Sequence, residues 1–328
     1  MDIKNSIFKI FLFSSCFIGV SIASQAYAQS WPIKPIRLVV PFPPGGATDI
    51  FARQIGQKLT ERLSQSIIIE NQAGAGGNIG TGNVARASAD GYTLLLSPGS
   101  TLAINPVLFS KVPFDPVKDF APISDLVVTP YVIVVHPSVP ARNLNELIKL
   151  AKLKPGGLTY ASSGIGQATH LAGVVFNIQA GSSMLHVPYK GAGPATADLL
   201  GGQVSMMFAN LGSMLPYIKA GKVFPLAVTT LQRNSLLPDV PTVSESGLQG
   251  YEVSEWFGML APAGTSPSII KKLNTELTSI LASPDFSKEL LSQGFVPIGS
   301  SPEALAILIK EEMIRWAKII KQEDIRAD

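Results

Sequence analysis

The chain of 328 residues is 46% hydrophobic and 15% charged, with a formal net charge of +3 and a single cysteine. Its basic residues are scattered and form no Lys/Arg run interleaved with aromatics, which argues against a nucleic-acid partner. One cysteine excludes an internal disulfide, so stability has to come from buried core, and this length suffices for two domains.

The first residues read as an export signal. Lys4 and Lys9 precede an apolar stretch over 10–22, and Ala26-Tyr27-Ala28 supplies a small-x-small cleavage site. Residues 1–28 are expected to leave by cleavage after Ala28, so the mature chain starts at Gln29 or Ser30. Lys4, Lys9 and Asp2 leave with them, which takes the charge from +3 to +2. The apolar stretch is shorter than the about 20 residues of a membrane span, and no later segment is long and apolar enough to be one. Cys16 lies inside this signal. Lipid attachment at Cys16 is the competing reading, but Phe13-Ser14-Ser15 offers no aliphatic residue before it, and apolar sequence continues to Ile22.

In the mature chain, short apolar runs alternate with helical patterns. A strand over 36–40 is followed by a helix over 49–63, a strand over 66–70 by a helix over 77–87, and a strand over 92–96 by a turn at Ser97-Pro98-Gly99-Ser100. This βαβα rhythm predicts a parallel, doubly wound α/β sheet. Ile55, Leu59 and Leu63 recur at four-residue spacing, which gives the first helix an apolar stripe against that sheet.

Residues 120–136 carry two apolar runs broken by Thr129-Pro130, too long for an ordinary strand but suited to leaving one sheet and entering another. A second series follows: helix 143–153, strand 158–161, helix 167–179, strand 185–187, helix 194–200, strand 204–208, helix 214–220 and strand 223–229. The return crossing is expected over 251–262, after which helices over 267–281, 286–293 and 302–321 complete the first domain. The prediction is a discontinuous first lobe, 29–130 plus 254–328, and a second lobe, 131–253. Each is a mainly parallel doubly wound sheet, and two crossover strands serve as the hinge. Ligands of open α/β sheets bind beyond the carboxyl ends of the strands, here in the cleft between the lobes.

Several loops stand at those ends. In Pro41-Phe-Pro-Pro-Gly-Gly-Ala-Thr-Asp49 the adjacent Gly45 and Gly46 let backbone amides approach an anion at the start of a helix. Ala47 and Thr48 continue this loop, and Asp49 either caps the helix or touches ligand. The loop Asn71 to Gly80 is glycine-rich but out of register with G-x-G-x-x-G, so it supports a turn better than a dinucleotide site. Ser97 follows a buried strand. Ser162, Ser163, Gly164, Gln167 and Thr169 gather hydroxyls and amides at another helix start, a combination suited to a carboxylate. Tyr189, Lys190 and Gly191 form a further loop, where Lys190 either pairs with a carboxylate or lies on a solvated face. Asn210 stands at the corresponding edge after strand 204–208.

Catalytic and metal signals are poor. No G-x-S-x-G, H-E-x-x-H or Walker loop occurs, His136, His170 and His186 lack metal-ligand spacing, and Ser268-Ile-Ile-Lys271 has no partner motifs. No catalytic residue, metal or cofactor is expected, and His170 reads as a structural histidine. The enzyme alternative is an exported α/β hydrolase using Ser162 or Ser163 with His170.

These loops carry a resemblance along essentially the whole mature length. Trp31-Pro32 with Pro35-Ile36-Arg37, PFPPGGATDIFAR at 41–53, ENQAGAGGNIGTGNVARASADGYTLL at 70–95, YASSGIGQATHLAG at 160–173, HVPYKGAGPATADLLGGQV at 186–204 and LPDVPTVSESGLQGYEV at 237–253 occur in the order of a known family. The chain resembles the periplasmic solute receptors of tripartite tricarboxylate transporters, the Bug or TctC-like proteins. The resemblance implies a two-lobed Venus-flytrap fold that closes over a small carboxylate and delivers it to membrane permease subunits from the periplasm, as a monomer. It further implies ligand contacts from Gly45 to Asp49, from Ser162 to Gln167 with Thr169, and from Tyr189 to Gly191, with Ser97 and Asn210 in addition. Gln167 departs from the small hydroxyl residue of many relatives, and its longer amide narrows the pocket or adds hydrogen bonds. Dicarboxylates, tricarboxylates, aromatic carboxylates and acidic amino acids all meet these loops. A ligand sensor for a signalling partner would use the same cleft.

Overall fold

The computed structural model describes residues 31–322 and 324–326. The expected signal segment, its cleavage after Ala28 and Cys16 lie outside the described residues. The architecture that follows is that of one compact unit, residues 34–328.

β1 (Ile36–Val40) buries every residue except Arg37, as a strand covered on both faces must. The chain then forms α1 (Ala47–Leu63), β2 (Ile67–Asn71), α2 (Asn78–Ala85) and β3 (Thr93–Pro98). β2 and β3 flank β1 in parallel. The stripe predicted for α1 is buried at Ile55, Leu59 and Leu63, joined by Phe51. After β3 the expected turn is instead a π-helical turn, Ser100–Ile104, running into α3 (Asn105–Leu108).

The segment expected to cross between sheets is one strand, β4 (Phe120–Val135), which spans Thr129-Pro130 without a break. Its residues up to Pro130 pair antiparallel with β9, and from Tyr131 onward it pairs with β7 and β8. The partner change falls where the sequence places the crossing. Pro130 lacks an N–H, which fits a point where one ladder ends and another begins.

The second series comprises α4 (Leu144–Leu153), β5 (Thr159–Ser162), α5 (Ala168–Ala180), β6 (Leu185–Pro188), α6 (Ala192–Leu200), β7 (Met206–Asn210), α7 (Leu211–Lys219) and β8 (Phe224–Val228). β5 lies parallel to β6 and β7. The chain returns through β9 (Ser254–Pro262), then α8 (Pro267–Leu281), α9 (Pro284–Ser292), a short β10 (Val296–Pro297) and α10 (Pro302–Gln322). The strand order β2-β1-β3-β9-β4-β7-β5-β6, with β8 and β10 on β4, makes the sheet mixed. Its outer strands are parallel, and the two long central strands run antiparallel to their neighbours.

Several apolar cores pack among the described residues, two of which bear on the two series. One gathers Val39, Leu95, Leu102, Trp256 and Leu260, and another Ile133, Tyr160, Leu171, Phe176, Phe208 and Tyr251. α10 serves both: Leu305 and Ile309 pack in the first, Trp316 and Ile320 in the second. The sequence assigns this helix to the first domain alone. At 1.5 Å per residue its 21 residues extend about 30 Å, long enough to bridge both.

Candidate functional site

A cavity of about 360 Å³ lies where loops of the two series meet over the central strands. Phe42 to Thr48 line it from the first series; Ser163, Gln167, Thr169 and Lys190 to Pro194 line it from the second. Thr129, Tyr131, Met207, Asn210, Glu255, Phe257 and Pro98 complete the lining. This size lies within the range of small-molecule sites.

Four helix starts line it, and three of them have no side-chain cap, the exception being α7 at Asn210. α1 begins at Gly46, α5 at Gln167 and α6 at Gly191, and none of these residues caps its helix with a side chain. The first N–H groups of each helix lack partners within the helix and carry its positive dipole end. α4, away from the cavity, is capped by Asn143, which accepts the Glu146 N–H at 3.0 Å; α8 and α9 also start without a side-chain cap, so what sets α1, α5 and α6 apart is that their starts line one cavity. A cavity facing three open helix starts is built for an anion.

In the first loop Gly45 takes φ +85°, in the left-handed region that favours glycine. Its N–H donates to Asp49 Oδ2 at 3.0 Å. Asp49 is buried, does not line the cavity, and accepts from Arg53 through both nitrogens of a fork and from Asn71 Nδ2. Burial by itself raises the Asp49 pKa, but the bonds from Arg53, Gly45 and Asn71, with the Arg53 charge, outweigh it and hold the carboxyl below its usual value. Its observed work is to fix the loop.

In the second loop Thr169 Oγ1 accepts the Ser163 N–H at 3.1 Å and shares a 3.0 Å bond with Ser163 Oγ. Gln167 reaches across: Nε2 donates to Gly76 O at 3.3 Å and Oε1 accepts from Ser100 Oγ at 3.3 Å. The long amide of Gln167 therefore ties the second series to the first. Ser162 is fully buried and shares a 2.6 Å bond with His186 Nε2. His186 stacks on His170, ring centroids 4.0 Å apart, and His170 Nδ1 accepts the Gly166 N–H. Burial lowers His170 to about 4, and burial plus the His170 neighbour lowers His186 to about 3, so both are neutral at pH 7. The Ser162–His170 pairing of the hydrolase alternative is absent: His186, not His170, meets this serine, and Ser162 does not line the cavity.

Of the sequence-predicted residues, the cavity lining brings together Gly45, Gly46, Ala47, Thr48, Ser163, Gln167, Thr169, Lys190, Gly191 and Asn210. Asp49, Ser97, Ser162, Gly164 and Tyr189 stand behind it. Ser97 Oγ donates to Pro98 O, and Gly164 donates its N–H to Ser162 Oγ. The Tyr189 hydroxyl donates to Asp198 at 2.6 Å, and burial followed by that carboxylate pushes its pKa up to about 12. Lys190 is exposed and has no ion-pair partner among the described residues. Asn210 donates through Nδ2 to Thr129 Oγ1 and accepts from Ser213 N–H.

Sequence reasoning missed Glu255 and Tyr131. Glu255 accepts from the Ser100 N–H at 3.0 Å and the Tyr131 hydroxyl at 3.2 Å. Burial pushes its pKa up to about 7, against hydrogen bonds from Ser100 and Tyr131 that lower it, while Glu312 adds to the rise. Burial and then Glu255 hold Tyr131 well above its ordinary value. The available signal was an acidic residue just ahead of the buried apolar run of β9.

Two α/β halves joined through long central strands, with a cavity between their helix starts, define a two-lobed solute-binding protein. The chain belongs to the tripartite tricarboxylate transporter family receptors: the TctC family model matches residues 51–325. It is 37% identical over 302 residues to Protein BugT of Bordetella pertussis, covering 92% of this chain and 93% of that one. Among solved structures, R. palustris Rpa4515 with adipate is 36% identical with a TM-score of 0.87, over 90% of this chain and 99% of that one. MatC from Rhodopseudomonas palustris with bound malate is 33% identical with a TM-score of 0.82, over 88% and 99%. The family is one of receptors, not of enzymes. Among the described residues no helix is long and apolar enough to cross a membrane, and no group of His, Cys, Asp or Glu could hold a metal ion.

Proposed function

We propose that this receptor captures a small carboxylate in the cavity and delivers it to the membrane permease of a tripartite tricarboxylate-type transporter, working in the periplasm as a monomer. The observation that carries the reading is the convergence of the uncapped starts of α1, α5 and α6 on one cavity. Adipate and malate, in the two solved relatives, are both carboxylates.

Gly45 to Thr48 supply dipoles from one lobe, and Ser163, Thr169 and Gly191 supply hydroxyls and amides from the other. Lys190 adds the single positive side chain. The lobes are 29–130 with 254–328, and 131–253; they hinge where β4 changes partners after Pro130 and where the chain enters β9. A carboxylate bridging both loops binds the closed form better than the open one, and that difference drives closure. Closure removes water and strengthens each contact. Asp49, Ser97, Ser162, Gly164 and Tyr189 support the lining from behind.

The test is native mass spectrometry of freshly purified mature protein, followed by thermal shift with di-, tri- and aromatic carboxylates and acidic amino acids. A ligand at a hundred times its Kd stabilises the folded form by about 2.7 kcal/mol. The expected result is a carboxylate either retained in the purified protein or raising Tm by several degrees. An empty protein that no carboxylate stabilises overturns the reading.

A further inference from the structure

Glu255 is the acidic side chain of the cavity lining and Lys190 the basic one. Lys190 is exposed, whereas Glu255 is only 7% exposed and pairs with no cation among the described residues. Its oxygens accept from the Ser100 N–H and the Tyr131 hydroxyl, and the Ser100 side chain is a third hydrogen-bonding neighbour. An ionised carboxylate has about four acceptor positions, so this cavity-lining residue keeps capacity for about one more donor.

The elements packed around it bring no compensating charge. β4 contributes Tyr131 and, opposite Glu255 in the ladder, Thr129. The turn after β3 contributes Ser100, whose hydroxyl lies within reach of both Glu255 and Gln167. α10 contributes Glu312, which adds repulsion although its own oxygens accept from Arg315 and Trp316 Nε1. β9 adds only the apolar Phe257 to the lining near it in sequence.

We propose that Glu255 is the specificity-determining residue of the cavity: it accepts a hydrogen bond from a hydroxyl, ammonium or protonated carboxyl on the solute and turns away a second ionised carboxylate. The proposal rests on the carboxylate reading above, which gives the solute's first carboxylate to the helix starts. Two ionised carboxylates side by side in a dry site repel strongly, so one has to hold a proton. Burial already poises Glu255 at about 7. A dicarboxylate then enters with one proton taken from the buffer and shared across the Glu255 contact. A hydroxy acid or amino acid enters without that uptake.

The experiment is titration calorimetry of the mature protein with two length-matched sets: succinate, 4-hydroxybutanoate and 4-aminobutanoate; adipate, 6-hydroxyhexanoate and 6-aminohexanoate. At pH 8 a donor-ended probe is expected to bind about tenfold or more tighter than the dicarboxylate of its length. The dicarboxylate gains about tenfold on going to pH 6, one unit below the Glu255 value, while its partners change less than about twofold. Titration in two buffers of different ionisation enthalpy reports uptake of about one proton for the dicarboxylate alone at pH 8. In Glu255→Gln both the preference and the pH dependence disappear. Equal affinities within a set at pH 8, no proton uptake, or a preference that survives Glu255→Gln overturns the role of Glu255 and leaves the carboxylate reading standing. Binding by none of the six probes overturns that reading, and this proposal with it. The proton count on the unmodified protein decides the matter even if the variant folds poorly.

Discussion

The two loops that face each other across the cavity both stand at helix starts but are held by opposite chemistry. The first is fixed by an ionised carboxylate: Asp49 takes the Gly45 N–H and is itself gripped by Arg53 and Asn71. The second is fixed by neutral imidazoles: His170 takes the Gly166 N–H, and His186 holds Ser162. A buried anion tolerates burial because a cation and several donors compensate it, whereas the histidines tolerate it by giving up their charge. Similar amide-rich loops therefore differ in how acid disturbs them.

The largest effect expected is from Gly46→Leu, which fills the cavity from the first loop. A Cβ at Gly46 meets only Pro43 O, at 4.0 Å, so the backbone accepts the change while the site does not. Ligand affinity should fall about a hundredfold or more, equivalent to about 2.7 kcal/mol, with Tm little changed; calorimetry beside a melting curve checks both. Retained affinity would remove the first loop from the site.

Asp49→Ala tests the ionic anchor. It leaves the Gly45 N–H, Arg53 and Asn71 without their acceptor, at a cost of about 2 to 3 kcal/mol in urea unfolding. A loss under about 0.5 kcal/mol would mean that solvent satisfies these donors.

Acidification tests the neutral anchor. His170 and His186 titrate lower in the folded protein than the usual value near 6.5, so the unfolded chain binds more protons as pH falls through 6.5. Their stabilisation is complete above that value and is lost on acidification, by about 2 kcal/mol per histidine at pH 5. Asp49, held below its usual 3.8, loses its contribution only in stronger acid. Hydrogen exchange at pH 5 should thus loosen the 162–170 amides before the 45–53 amides, and the reverse order would break the comparison.

The smallest effect is from Gln167→Ala, which deletes the bonds to Gly76 and Ser100. Two neutral bonds between the two series are together worth about 1 to 2 kcal/mol. Ligand affinity should drop about tenfold without a shift in the pH behaviour of either loop. An unchanged affinity measured by calorimetry would show that the tie contributes nothing to binding.

Much of this was legible beforehand for a physical reason. Glycine loops and hydroxyl-rich helix starts are local: Gly45-Gly46 and Ser162-Ser163 announce open backbone amides in a few residues of sequence. The strand–helix rhythm is equally local, and the crossing at Thr129-Pro130 was readable from an apolar run too long for one sheet. Asp49 shows where such reading stops. Its position in the motif suggests ligand contact, and only the placement of Arg53 and Asn71 around it shows a carboxylate already engaged.

The sequence alone determined the α/β alternation, the long strand over 120–136 that changes partners and the backbone-rich character of the binding loops, because these follow from periodicity and from what glycine, proline and hydroxyl residues do locally. Tertiary structure alone decided that Gln167 ties the loops together, that α10 spans both cores, and that Glu255 lines the cavity beside Tyr131. Each depends on residues far apart in the chain, such as the 124 positions separating Tyr131 from Glu255. A side chain's charge state and its access to ligand are set by those distant neighbours through burial and compensation, which local pattern does not encode.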